Sequence, residues 1–393
     1  MNARRTVRVV VRTVVALAAV VAFAVAGLAW SLQRSLDTSF TSTAAIPHAT
    51  PTPQGQAYNA LLVGLDARTD SAGNPLPPEL FNALHVGPDG GQLNTDTIIL
   101  LHVPADPGQP AEAISIPRDS YVPIAGGRGT HKINSAYELG LTSAENTLTA
   151  QGITGPELDR RGREAGRATL VATVEQLTGV QIDHYAEINF VGFVELTEAL
   201  GGVPICLNEP VHDSYSGIDL PAGPQTVDGP AALAFVRQRH GLPNGDLDRI
   251  ARQQAFAAGL TKQLISTGTF TNPVRLARLV GVVDRNVVLD SGWNIEQALS
   301  QFAGLSGSDL RFQTIPTGRT DLRTPYDGIA VQIDQSAVRA FVRSVVSGHE
   351  PRAASPSETA AAPPVQPAGS GRSSRSTTAT PRVITAGGVP CVN

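Results

Sequence analysis

A chain of 393 residues with 41% apolar side chains has the material for one large domain or two ordinary ones with a real core, which excludes disorder throughout. A formal net charge of −4 excludes a general attraction to nucleic acid, so any anion site has to be local. Cys206 and Cys391 are the only cysteines, too few for a structural zinc site or a disulfide framework; in an oxidising exterior they pair and tie the tail to the core, or they stay as two thiols.

Arg4, Arg5, Arg8 and Arg12 precede an uncharged stretch from Thr13 to Leu32, about the length of helix that crosses a bilayer. Clustered arginines stay on the cytoplasmic side, so residues 1–12 are expected inside, 13–32 as a single membrane span, and everything after outside the cell membrane. A cleaved signal peptide is the competing reading, with Ala24 and Ala26 as its small residues. The apolar stretch runs on past them to Leu32, which favours a retained anchor. Residues 33–56 are polar and rich in proline and threonine, and read as a spacer.

The folded domain is expected over 57–349. ALLVGLDAR, TIILLHVP and EAISIPRDSYV read as buried strands that begin or end in charged residues, and a Pro/Gly-rich insertion, 70–93, separates the first two as a loop or lid. HKINSAYELG opens a helical region. REAGRATLVATVEQLTG carries apolar residues at helical spacing until Gly179 stops it. Strand-like HYAEINF, helical FVGFVELTEALGG and a strand at VPICLN follow. Residues 254–267, 273–283 and 294–305 read as helices, DLRFQTIPT and IAVQID as strands, and SAVRAFVRSVV as a closing helix. Strands interleaved with helices imply an α/β fold with a three-layer α/β/α core. Residues 350–393, rich in Pro, Ser, Thr and Ala, hold too little apolar surface to order and read as a disordered tail, apart from the tether that pairing of Cys391 would give.

The stretch FVRQRHGLPNGDLDRIARQQAF brings Arg237, Arg239, Arg249 and Arg252 around one turn. Gly241, Pro243 and Gly245 break the chain, and Asp246 and Asp248 open an amphipathic helix on which Arg249, Arg252 and Gln253 stand at i, i+3 and i+4. Arginine forks next to the free N–H groups of a helix start suit phosphate or pyrophosphate. The bland alternative is ordinary pairing of these arginines with Asp246 and Asp248 at the surface. With the charged strand ends added, Asp66, Arg68, Asp96, Arg118, Asp119 and Lys132 join the set, a mixture that suits a divalent metal bound to phosphates.

LLVGLDAR, TDTIILLHVP, AISIPRDSYV, HKINSAY, TVEQLTGVQIDHYAEINFVGFVELTEALGGV, DLPAG, LAFVRQRH and GDLDRIARQQAF, in this order over roughly 57–265, resemble the LytR-CpsA-Psr (LCP) family. The resemblance implies an LCP-like core around a central mixed sheet and a membrane-anchored enzyme that moves a glycan polymer from a polyprenyl-pyrophosphate carrier onto peptidoglycan, through a phosphodiester to N-acetylmuramic acid. It assigns Mg²⁺, or Mn²⁺ in its place, to Asp66 and Asp96, and the pyrophosphate to Arg68, Arg118, Lys132, Arg237, Arg239, Arg249, Arg252 and Gln253. Asp119, Arg118 and Arg239 are the expected catalytic side chains, with Asp119 as base. The resemblance also implies a lipid tunnel between sheet and helices, lined by positions such as Phe190, Phe193, Leu196 and Leu200. Asn94 stands where the family usually has an arginine, two residues before the second metal aspartate. Arginine-rich composition and the long insertion resemble actinobacterial members, which points to arabinogalactan as the donor glycan. The rival readings are a polyprenyl-pyrophosphate phosphatase using the same site, and a non-catalytic envelope scaffold that binds lipid or glycan.

Overall fold

The structure is a computed structural model that describes residues 41–46, 55–67, 69, 76, 84, 93–106, 108–242, 245–266, 268–269, 272–293, 310–348, 384–385 and 387–393. The expected membrane span at 13–32, most of the 70–93 insertion and the expected helix at 294–305 lie outside the described residues. Among the described residues no helix is long and apolar enough to cross a membrane.

The described residues start with β1 (Thr41–Thr43), β2 (Tyr58–Asp66), β3 (Asn94–Val103) and β4 (Ala111–Ser115), then a hairpin of β5 (Ser120–Pro123) and β6 (Thr130–Lys132). A 3-10 turn, Ile133–Ser135, leads into α1 (Ala136–Ala150) and α2 (Pro156–Thr178). β7 (His184–Ile188), α3 (Phe190–Ala199), β8 (Val203–Leu207), β9 (Val211–Asp213), β10 (Ile218–Leu220) and β11 (Gly223–Val227) follow. Next come α4 (Gly229–Arg237), α5 (Asp246–Ser266), α6 (Pro273–Asn286), β12 (Val287–Asp290), β13 (Leu310–Thr314), β14 (Leu322–Arg323), β15 (Ile329–Gln332) and α7 (Gln335–Val346). β16 (Ile384–Thr385) and β17 (Cys391–Val392) close the described chain.

Eight strands form a mixed central sheet in the order β1-β12-β7-β2-β3-β4-β13-β16. Its inner strands are near-continuous apolar runs because both faces are covered. In β2 the side chains alternate between the two faces. Leu61 and Val63 join Leu170, Val174 and Val342 of α2 and α7, whereas Ala60 and Leu62 join Ala257 and Ala258 of α5. Helices therefore pack on both faces of the sheet, as the interleaved elements imply.

Local signals set the helix ends. Gly179 stops α2 in the left-handed region at φ 76°, and the Asn189 side chain caps α3 by accepting from Gly192 N at 2.8 Å. Gly259 governs how closely α5 lies on β8, since a Cβ there would stand 2.1 Å from the Pro204 carbonyl oxygen. That close approach fixes the helix that carries Arg249 and Arg252.

Two expectations need correction. Thr41–Thr43, inside the supposed spacer, pairs in parallel with β12, and Thr43 Oγ1 donates to Glu164 at 2.5 Å. The supposed disordered tail contains β16, antiparallel to β13, and β17, parallel to β8 with Cys391 opposite Cys206. Cys206 and Cys391 form a disulfide, so of the two states open to these thiols the structure holds the paired one. Strands this short carry no periodicity; partners far away in sequence hold them.

Candidate functional site

Four segments deliver one charged cluster: β3 with Asp96, the turn after β4 with Arg118 and Asp119, the end of β6 with Lys132, and the first turn of α5 with Asp246 and Arg249. The turn is fixed by its backbone. Ser120 N donates to the Pro117 carbonyl at 3.0 Å, and Asn134 N donates to the Arg118 carbonyl at 3.1 Å, which locks the turn to the segment just after Lys132.

Arg118 is the hub. Its Nη1 donates to Asp96 Oδ1 at 2.5 Å, and its Nε lies 4.0 Å from Asp119 and 3.9 Å from Asp246. Arg249 closes a ring, with Nη1 3.6 Å from Asp96 Oδ2 and Nη2 2.5 Å from Asp246 Oδ1. Lys132 Nζ sits 3.1 Å from the other face of Asp119.

Three cations thus meet three carboxylates, largely out of water, where charge is costly unless it is well paired. Burial, resisted by Asp246 and reinforced by the neighbouring Arg118, pushes the Arg249 guanidinium below its ordinary value. Burial likewise pushes the Asp246 carboxyl up; Asp119 and Asp96 add to this against the pull of Arg249 and Arg118. Arg118 goes the other way, because Asp96, Asp119 and Asp246 together outweigh the cost of its burial. Nε of Arg118 and Nε of Arg249 are buried without a hydrogen-bond partner among the described residues. An anion with several oxygens would satisfy both.

Asp96, Arg249, Arg237 and Gln253 also face a cavity of about 340 Å³ between the sheet and α3, α4 and α5. Thr97, Glu187 and Asn189 also line it, and most of the remaining wall is apolar, with Leu62 and Ile99 from the sheet, Phe190, Phe193 and Leu196 from α3, and Phe256 from α5. Three of the four expected tunnel positions are there; Leu200 is not among the lining residues.

The other expected site residues fall as follows. Asp66 ends β2 opposite Asn94, half-buried. Arg68 lies outside the described residues. Arg237 ends α4, donates Nη1 to the Leu84 carbonyl at 3.0 Å and lies over the Phe190 ring at 4.9 Å. Arg239 is exposed in the loop after α4, and Gln253 donates to the Val236 carbonyl at 3.4 Å.

Arg252 departs from expectation. It is 1% exposed and turned away from the cavity, donating to Gln238 Oε1 and to the backbone oxygen of Asn393. Positions i+3 and i+4 fall on opposite sides of Arg249, so only Gln253 reaches the cavity side. Asp246, expected as a helix-opening acid and as an ordinary surface partner of these arginines, does pair with Arg249, but as a largely buried member of the cluster. Its i, i+3 spacing to Arg249 was the available signal.

Among the described residues no group of three or more His, Cys, Asp or Glu is placed to hold a metal ion. The donors near the cluster are carboxylates, the oxygen type magnesium takes when phosphate and water complete its shell. The chemistry of Asp66 and Asp96 fits that ion, although Asp96 here meets two guanidinium groups.

A family model described as the LytR_cpsA_psr family matches residues 32–342. The chain therefore belongs to the LytR-CpsA-Psr family. It is 44% identical over 296 residues to the cell wall biosynthesis protein LcpA of Corynebacterium glutamicum, covering 75% of this chain and 57% of LcpA. It is 40% identical over 227 residues to the probable cell wall biosynthesis protein LcpB of the same organism, covering 58% of this chain and 47% of LcpB. The chain thus spans about half the length of these curated relatives. Among solved structures, TagT bound to LI-WTA shares the fold at a TM-score of 0.53 and 20% identity, covering 78% of this chain and 98% of that one.

Proposed function

We propose that this protein is a phosphotransferase that moves a glycan polymer from a polyprenyl-pyrophosphate carrier onto a peptidoglycan hydroxyl, with N-acetylmuramic acid as the acceptor and arabinogalactan as the donor glycan. One observation carries the reading: the buried arginine–aspartate cluster forms part of the wall of an apolar cavity, so Asp96 and Arg249 face both. A ligand matching that wall has a multiply charged head and a hydrocarbon tail. The names of LcpA and of TagT bound to LI-WTA support the same class of ligand and process.

In the proposed reaction an acceptor hydroxyl attacks the glycan-linked phosphorus, a new P–O bond forms, the bond to the bridging oxygen breaks, and polyprenyl phosphate leaves. Asp119, held by Lys132, receives the hydroxyl proton. Arg118 and Arg249 turn their buried Nε–H groups onto phosphate oxygens and stabilise charge that grows in the transition state. Arg237, Arg239 and Gln253 hold the rest of the head group. Mg²⁺ held by Asp66 and Asp96 would neutralise pyrophosphate charge and favour departure of the leaving group. Residues 13–32 anchor the enzyme in the cell membrane with the catalytic domain outside.

The test uses the full chain with a labelled lipid-linked glycan, peptidoglycan and magnesium. Label is expected in the wall polymer, and none with Asp96→Ala. Phosphate release without wall-linked label would replace transfer by hydrolysis; binding of geranyl pyrophosphate without any turnover would leave a scaffold.

A further inference from the structure

We propose that Arg252 is a positioning residue that fixes the loop carrying Arg239, acting through Gln238 and not on phosphate itself. This rests on the reading of Arg239 as a pyrophosphate-binding side chain.

Arg252 Nη1 donates to Gln238 Oε1, and Gln238 Nε2 donates to the His240 carbonyl at 2.9 Å. The two residues flanking Arg239 are therefore held by one linkage, while the Arg239 side chain between them stays exposed. Gln238 itself is 3% exposed and has left helical geometry, with φ −55° and ψ 135°. Among the described residues the loop's other ties include Leu242 N donating to the Arg239 carbonyl at 3.4 Å, Gly245 N donating to the Leu242 carbonyl at 3.2 Å, and the His240 ring against Tyr215 with centres 4.3 Å apart; none of these reaches Gln238.

The other end of the linkage is rigid. Arg252 Nε donates to the backbone oxygen of Asn393, next to β17, and its guanidinium lies 5.2 Å from the centre of the Phe235 ring. β17 is fixed to β8 by the Cys206–Cys391 disulfide and by Asn208 N donating to the Val392 carbonyl at 2.9 Å. A planar fork with donors in two directions is what joins Asn393 to Gln238; an ammonium would reach one or the other.

Among the described residues no Asp or Glu side chain lies within ion-pair distance of Arg252. Burial pushes it down to about 10, against the more distant pull of Asp248 and Asp213. A phosphate ligand is not required to explain this arginine, since its donors already serve the loop and the strand.

The test is a double-mutant cycle on the full chain, with the dissociation constant of geranyl pyrophosphate read by calorimetry for wild type, Arg252→Met, Arg239→Ala and the double variant. Each single change is expected to weaken binding about tenfold, and the double variant to bind no more weakly than Arg239→Ala alone. Losses that multiply, or unchanged affinity in Arg252→Met, would overturn the positioning role. Unchanged affinity in Arg239→Ala, with Arg249→Met still weakened, would instead overturn the reading of Arg239. Circular dichroism checks folding. Should Arg252→Met not fold, Gln238→Leu takes its place in the cycle with the same expected pattern, because it leaves Arg252 anchored to Asn393 and Phe235.

Discussion

Arg167 and Arg249 are both almost fully buried and both face carboxylates, yet their donors are used differently. Arg167, on α2, gives Nε and Nη2 to the two oxygens of Glu187 at 3.0 Å each, and Tyr185 Oη donates to the same carboxylate at 2.7 Å. Arg249 meets Asp96 at 3.6 Å and Asp246 at 2.5 Å and keeps a buried Nε without a hydrogen-bond partner among the described residues. Although burial opposes its charge, Glu187 holds Arg167 well above the ordinary value, whereas burial leaves Arg249 below it. Burial alone therefore does not mark a binding arginine. What sets Arg249 apart is an unfinished set of hydrogen bonds in the wall of the cavity, because a ligand that completes it recovers a desolvation cost the protein already bears.

The largest effect should come from Arg249→Met, which removes the unfinished donor. Reconstituted transfer is expected to fall by at least roughly a hundredfold. Near wild-type turnover would break the comparison from the catalytic side. Arg167→Met should act on stability: leaving Glu187 buried without its partner costs about 3–5 kcal/mol by urea unfolding, with turnover per folded molecule unchanged. A stable but inactive Arg167→Met would move Arg167 into the binding class.

The smallest effect sharpens the contrast with a buried pair that carries no formal charge. His102 Nδ1 lies 2.9 Å from Asn59 Oδ1, and burial, against the pull of Asp183, lowers the imidazole below its ordinary 6.5. Below that pH the unfolded chain takes up a proton that the folded state resists, so acid favours unfolding. The melting temperature should decline as pH drops beneath 6.5, and His102→Gln should flatten the decline.

Much of this was legible in the residues. The apolar runs of β2, β3 and β4 read as strands because a doubly covered sheet leaves little room for alternation. Asp96, Arg118, Lys132 and Arg249 stand at strand ends and a helix start, and the fold brings those ends together. Arg252 was not legible. Arg252 and Gln253 flank Arg249 roughly 100° apart around the helix axis, and periodicity cannot say which flank meets the cavity. Gln238 was hidden for a related reason, since a glutamine beside two arginines gives no sign of which carbonyl it will hold. β16 and β17 escaped composition because what orders them is Phe312 opposite Ile384 and Cys206 opposite Cys391.

The two margins of the central sheet carry a further consequence. One is β1, three residues long, and the other is β16, two residues long. Both lie beyond the 57–349 limits that composition suggests for the domain. A chain cut to those limits would bare the backbone groups of β12 and β13, longer strands that offer a template on which a second molecule can add its own strand. These brief terminal strands thus act as guards against self-association, a task separate from any chemistry at Arg249.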